Sequence, residues 1–264
     1  MAYIRKNIYT LKKENRKYRR KSRVFLKTPV NAKAECSNSR REFNENQTYT
    51  TDNILELFAG ISFDSLVSFE SQLYEDPIFA IKHSVGRRIY KIIEEWDKFI
   101  GFDGNEYYHA RKIENERGVF LDQEMVKVPL NIASHGRYNA VGQSSYYISQ
   151  TREGAVKEII GHSKGTNQRI QVVGLKPIKT AKILDLSKDC QEHNYFAKML
   201  RQRGENENLK IVKEYLLPNF VASCCKEIGI DGIKYRNNNI CNYVVWEDQY
   251  FEFIEGSREI IICE

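Results

Sequence analysis

The residues of this chain best equipped for chemistry lie between His135 and Glu158, in the run His-Gly-Arg-Tyr-Asn-Ala-Val-Gly-Gln-Ser-Ser-Tyr-Tyr-Ile-Ser-Gln-Thr-Arg-Glu-Gly-Ala-Val-Lys-Glu. It holds an arginine beside a glycine (Arg137), tyrosines at Tyr138, Tyr146 and Tyr147, and an acid, Glu158, one helical turn after Ala155. Arginine offers a planar fork of donors to phosphate oxygens, glycines let backbone amides approach, and tyrosines present stacking faces to a heteroaromatic ring. The set suits an anionic, ring-bearing ligand of nucleotide type. A structural role is the alternative, with Gly136 and Gly142 in turns, the tyrosines in the core and Arg137 paired with a surface carboxylate. Upstream, His109 stands two residues from Arg111 and shares its face if the segment is extended, so His109 could line a cleft. A structural histidine and an ion pair at a strand end are the other options. Asn139 either fixes the turn after Arg137 or meets a ligand ribose. His83, His162 and His193 have no motif around them.

These residues need a scaffold, and the pattern supplies one. Short runs rich in β-branched and aromatic residues predict strands at 107–113, 145–149, 170–175, 182–186, 232–235, 242–246 and 259–263. Helices are expected over 152–161, 192–203 and 208–228, the last ended by Gly229 despite an internal Pro218. Before them, Asp76-Pro77 is a helix-start signal, and Ile78, Ile81, Val85, Ile89, Ile92, Ile93, Trp96 and Phe99 form an apolar stripe that predicts one long helix over 77–100. Residues 53–74 read as one helix or two, because Gly60 interrupts the spacing of Ile54, Leu57, Phe58, Ile61, Leu66 and Phe69. The expected organisation is a basic leader and linker (1–52), a helical subdomain (53–104) and a mixed domain (105–264), an α+β fold with a helical N-terminal extension.

Composition narrows the function classes. Hydrophobic residues at 41% and charged residues at 29% suit a packed soluble fold and exclude wholesale disorder. No apolar run nears the roughly 18 to 20 residues that cross a bilayer, so no membrane contact and a cytoplasmic location are expected. The net charge of +6 is uneven: residues 1–41 carry 14 basic and 2 acidic residues (+12), and the remaining 27 basic and 33 acidic residues give −6. Such a leader could contact nucleic acid, an acidic partner or the acidic body, or remain a solvated arm. Six cysteines show no CxxC pair and no histidine at ligand spacing, so no metal site is expected; Cys224 and Cys225 are expected to pack along a helix.

Taken in order, Tyr108-His-Ala-Arg111, Gly136-Arg-Tyr-Asn139 with Gly142, Tyr146-Tyr-Ile-Ser149, Ala155-Val-Lys-Glu158, Gly229-Ile-Asp-Gly-Ile-Lys-Tyr235 and Asn242-Tyr-Val-Val-Trp246 resemble the successive blocks of the RES domain family. The resemblance covers about residues 105–264 and leaves residues 1–100 without a counterpart. It implies a mixed β core like that of the ADP-ribosyltransferase toxins and an activity that degrades NAD. On it, Arg111, Arg137 and Glu158 are the catalytic candidates, and Tyr147, Tyr138, Asn139, His109 and Asn237 the substrate-binding ones. The family serine falls where this chain has Asn237, which can still donate and accept hydrogen bonds.

The implied chemistry is cleavage of the nicotinamide–ribose bond, which builds positive charge on the sugar that a carboxylate such as Glu158 stabilises. NAD is then the substrate and no cofactor is required. Inorganic phosphate is the implied co-substrate, giving ADP-ribose 1″-phosphate and nicotinamide, and two arginines suit two anions. A mono-ADP-ribosyltransferase and an NAD glycohydrolase share these requirements, and a nucleic-acid-binding protein acting through residues 1–41 is the non-enzymatic alternative. Because NAD loss harms the producing cell, the resemblance also implies a protein partner, an antitoxin or another component of an anti-phage defence system.

Overall fold

Asn53, Ser62 and Asn194 each place a side-chain oxygen on a backbone N–H one turn into the helix that follows, and these caps set the starts of three helices. The structure is a computed structural model that describes residues 50–114, 118–161, 168–204, 211–237 and 239–263, all within one compact unit, Thr48–Glu264. The basic leader and His162 lie outside the described residues. The fold is α+β. Helices α1 (Ile54–Phe58), α2 (Phe63–Glu75) and α3 (Ser84–Glu94) precede the first strand, β1 (Tyr107–Ile113). Then follow β2 (Tyr146–Ser149), α4 (Arg152–Gly161), β3 (Gln168–Pro177), β4 (Ile183–Asp185), α5 (Tyr195–Arg201), α6 (Leu216–Ile228), β5 (Gly232–Asn237), β6 (Ile240–Val245), β7 (Phe251–Phe253) and β8 (Glu259–Cys263). No helix among the described residues is long and apolar enough to cross a membrane.

The strands make one mixed sheet in the order β4-β5-β6-β2-β1-β3-β7, with β8 also on β3; β4 and β5 run parallel and the other pairs antiparallel. Its centre is weak by design. β1 pairs with β3 from Tyr107 to Ile113, and β2 pairs with β6 from Tyr146 to Ser149, yet β1 and β2 pair only at Tyr108 and Ser149. Two half-sheets therefore meet at one residue pair, and past it the facing edges of β1 and β2 leave the ladder, exposing backbone groups to whatever lies between them.

The helices cover one face. Phe58 stacks on Phe196 at 4.1 Å and Phe69 meets Phe220 edge-on at 5.0 Å, so α1 and α2 bury their apolar stripes against α5 and α6. The same cluster takes in Ile89, Ile93, Ile233 and Val244. A second cluster, with Tyr107, Tyr146, Ile148, Tyr243 and Phe120, fills the opposite side of the sheet. In α6, Pro218 falls in the first turn, where the missing N–H has no helical partner to lose, and Gly229 ends the helix in the left-handed region at φ 80°. Cys224 and Cys225 are buried along it, and burial raises their thiol pKa values.

The single helix expected over 77–100 is instead two pieces. Pro77–Lys82 forms a 3-10 turn, His83 adopts an extended conformation (ψ 144°), and its Nδ1 accepts from the Val85 N–H to cap α3. The break puts the two halves of the stripe out of register: Ile89 and Ile93 are buried, whereas Ile78 is 82% exposed. The strand Phe251–Phe253 was not foreseen, being only three residues long.

Gly86 shows how tightly this region packs. In a helix, glycine to alanine ordinarily stabilises by about 1 kcal/mol. Here a Cβ would meet the Ala80 carbonyl oxygen at 2.2 Å and Phe69 at 3.0 Å. Gly86→Ala is therefore expected to destabilise the protein by roughly 1–3 kcal/mol, the range for overpacking, and urea unfolding checks the sign.

Candidate active site

Register and strand alternation align Tyr108, Ser149, Asn242 and Tyr235 in a row across four strands, on the face that α4 covers. α4 lies close to that row. A Cβ at Gly154 would meet Ser149 Oγ at 2.3 Å and Ile240 Cγ2 at 2.7 Å, so glycine permits the approach. Ala155 and Val156 then pack with Ala110, Ile170 and Val172. One turn further on, Glu158 comes over the sheet, where its Oε2 accepts from Asn237 Nδ2 at 2.8 Å and from Asn242 Nδ2 at 3.4 Å. Two amide donors on adjacent strands thus fix the carboxylate's position.

The Gly136-Arg-Tyr-Asn139 segment is a tight turn closed by Gly136 N–H to Asn139 O and its reciprocal. The Tyr147 hydroxyl holds it to β2, donating to Asn139 Oδ1 at 2.8 Å and accepting from Tyr138 N–H at 2.9 Å. Asn139 Nδ2 donates to the carbonyls of Ser134, Ala140 and Gln143. From α6, Asn219 Nδ2 donates to the carbonyls of Gly136 and Arg137. Tyr147 and Asn139 are thus committed to the turn as well as bordering the cleft. Tyr138 is 2% exposed, packs against Tyr235 at 5.0 Å and lies among core residues rather than on the cleft lining.

The turn delivers Arg137. The residue is 6% exposed, and its guanidinium lies 5.9 Å from the ring centres of both Tyr215 and Tyr235 and donates to the Leu200 carbonyl at 3.4 Å. Among the described residues no carboxylate pairs with it. Burial works against the charge, but the phenol groups of Tyr138, Tyr235 and Tyr215 and the Glu158 carboxylate outweigh it and raise the pKa above its ordinary value. A buried cation with one carbonyl acceptor keeps most of its donors available for an anion.

Arg111 and His109 rise from the other face of β1. Arg111 lies over the Phe120 ring at 4.5 Å and donates to the Glu124 carbonyl. His109 stacks near Tyr146 at 4.6 Å and bonds through Nδ1 to the Tyr147 carbonyl at 2.8 Å. They reach the site through the gap between β1 and β2. One cleft of about 910 Å³ is lined by His109, Arg111, Arg137, Asn139, Tyr147 and Glu158 together. That volume is at the upper end of the roughly 300–1,000 Å³ common for small-molecule sites.

Sequence reasoning missed Tyr215, which also lines the cleft, and did not single out His135, Ser144 and Ser145 within the 135–158 run or Asn242 and Tyr235 within their blocks. Asn242 carried a readable signal, since an amide on a strand otherwise made of Tyr, Val and Val is expected to have a polar partner. Tyr215 carried none, because the chain brings it to Arg137 only through the helix that follows.

Two outcomes follow from this geometry. Gly154→Ala should move α4 off Ser149 and displace Glu158; since a 1 Å misplacement can lower turnover by about 100-fold, any activity that depends on this carboxylate should fall far more than stability, which parallel kinetic and unfolding measurements separate. Burial holds the His109 imidazole down at about 4, with the Tyr147 bond opposing and the Arg111 charge reinforcing the shift. In the unfolded chain it takes up a proton near pH 6.5, so its contribution to stability is complete above that pH and is lost as the pH falls from there towards about 4, in all roughly 3 kcal/mol. Urea midpoints over this range should drop less steeply in His109→Phe than in the wild type.

No family model matches the chain, and no curated protein does. Among solved structures it is similar to the crystal structure of the M. tuberculosis MbcT–MbcA toxin–antitoxin complex, with a TM-score of 0.36 and 10% identity, covering 62% of this chain and 85% of that one.

Proposed function

We propose that this protein is an NAD-degrading enzyme of ADP-ribosyltransferase-like fold, which cleaves the nicotinamide–ribose bond and passes the ribosyl group to inorganic phosphate. The observation that carries the reading is the Glu158 carboxylate, held by the Asn237 and Asn242 amides in a cleft that also contains the buried guanidinium of Arg137. Departure of nicotinamide takes the bonding pair with it and leaves an oxocarbenium-like ribose. A fixed carboxylate beneath the sugar stabilises that charge without reorganising at the moment of reaction. A phosphate oxygen then forms the new bond to the same carbon, giving ADP-ribose 1″-phosphate.

Two anions must enter, the pyrophosphate of NAD and the attacking phosphate. Arg137 and Arg111 come to the cleft from opposite faces of the strands that line it, which suits two separate anions. Water in place of phosphate would make the enzyme a glycohydrolase, and a protein or nucleic-acid acceptor an ADP-ribosyltransferase. The motif resemblance supports an inhibitory partner such as an antitoxin, since uncontrolled NAD loss would harm the producing cell.

Glu158→Gln keeps the shape and both amide contacts within reach but removes the charge, so NAD consumption should fall by about 100-fold or more with the fold intact. Arg137→Lys should fail to restore the wild-type rate, because a point charge cannot reproduce a fork of donors. Both are read by following NAD loss with and without phosphate. Undiminished turnover in Glu158→Gln would overturn the assignment, and loss independent of phosphate would replace phosphorolysis by hydrolysis.

A further inference from the structure

Buried polar atoms in native folds nearly always find a partner, and one left without needs an explanation. Three such atoms, His109 Nε2, Ser144 Oγ and Ser145 Oγ, belong to residues that line one cleft, His109 on β1 and the two serines just before β2. Ser144 and Ser145 are 7% and 9% exposed, and all three residues line the cleft. Their chemistry is well defined. The Tyr147 carbonyl can only accept, so His109 Nδ1 carries the proton and donates at 2.8 Å; Nε2 is then a bare lone pair. Each serine hydroxyl brings one proton to donate. The Asn139 amide fixes the segment from the other side through the Gln143 carbonyl at 2.9 Å, so the serines are held in place before a ligand arrives.

Resting on the NAD-cleaving reading above, we infer that His109, Ser144 and Ser145 form a subsite that recognises a neutral, planar edge of the dinucleotide carrying an N–H donor beside an acceptor. Two groups of NAD present such an edge, the primary carboxamide of nicotinamide and the amino edge of adenine. Nε2 accepts the N–H, and a serine hydroxyl donates to the neighbouring oxygen or nitrogen. Where the carboxamide is the edge bound, a carboxylate in its place would set a negative charge against the Nε2 lone pair, and a deamidated dinucleotide is rejected. The depressed imidazole pKa, about 4, agrees with an uncharged acceptor at neutral pH.

The test compares kcat/KM of the full chain for NAD, for nicotinic acid adenine dinucleotide, which lacks the amide N–H, and for nicotinamide hypoxanthine dinucleotide, which reverses the adenine edge. One of the two analogues should be disfavoured by about 100-fold or more, as expected of a site whose buried polar groups are left unpaired, and its identity names the edge. His109→Phe also removes the Tyr147 bond and so risks the fold. Ser144→Ala and Ser145→Ala remove a single hydroxyl each, and at least one should lower the discrimination by about tenfold, the value of a lost hydrogen bond. Equal use of all three dinucleotides, or discrimination unchanged in both serine variants, overturns the subsite while leaving NAD cleavage standing. Consumption of none of them overturns the NAD reading and the subsite with it.

Discussion

The close seating of α4 on the sheet at Gly154 is the constraint from which the rest of the site follows. A helix normally stands off a sheet by the thickness of two layers of side chains, but a residue with no Cβ lets the backbone settle against Ser149 and Ile240. Thr151 Oγ1 accepts the Gly154 N–H at 3.0 Å and so anchors the first turn there. Given that anchor, the helical repeat alone carries Glu158 over β5 and β6, and register alone puts Asn237 and Asn242 beneath it. Backbone geometry brings the carboxylate over the two strands, and the Asn237 and Asn242 amides fix it there.

Buried polar groups in this fold are of two kinds. Gln171 has no exposure and is fully satisfied, donating to the Phe120 carbonyl at 2.8 Å and accepting from the Phe120 N–H at 2.7 Å; it ties the 118–121 segment to β3 and needs no ligand. His109, Ser144, Ser145 and Asn242 each keep an unpartnered atom, and all four line the cleft. Leaving such atoms unpaired lowers stability, by about 1–3 kcal/mol each where no water reaches them. Arg152 Nε and Asn219 Oδ1 are also unpartnered but lie off the cleft lining; the four on the lining share one opening where the central strands part, so a single ligand could reach them.

Much of this was legible in the sequence. The strand 107–113, the helix 152–161 and the αL stop at Gly229 were read from alternation, apolar spacing and glycine chemistry, and the Gly136–Glu158 run identified the turn and acid that the structure brings to one cleft. What failed depended on contacts distant in the chain. The 77–100 helix broke because His83 caps its own successor, a choice apolar periodicity does not encode. Tyr138 went to the core because its neighbour Arg137 takes the cleft side of the turn. Arg111 and Glu158 were read as one site, and they share one cleft, but only because β1 and β2 pair at a single position, a fact of sheet topology rather than composition.

Oxygen-18-labelled phosphate tests the central chemistry most directly. The full chain is incubated with NAD and the labelled phosphate, and the products are identified by mass. Attack of phosphate on the ribose predicts free nicotinamide and an ADP-ribose phosphate that retains all the phosphate label, including the oxygen bonded to the sugar. NAD that remains intact, or is split anywhere other than at the nicotinamide–ribose bond, would contradict the role assigned to Glu158 and the cleft around it.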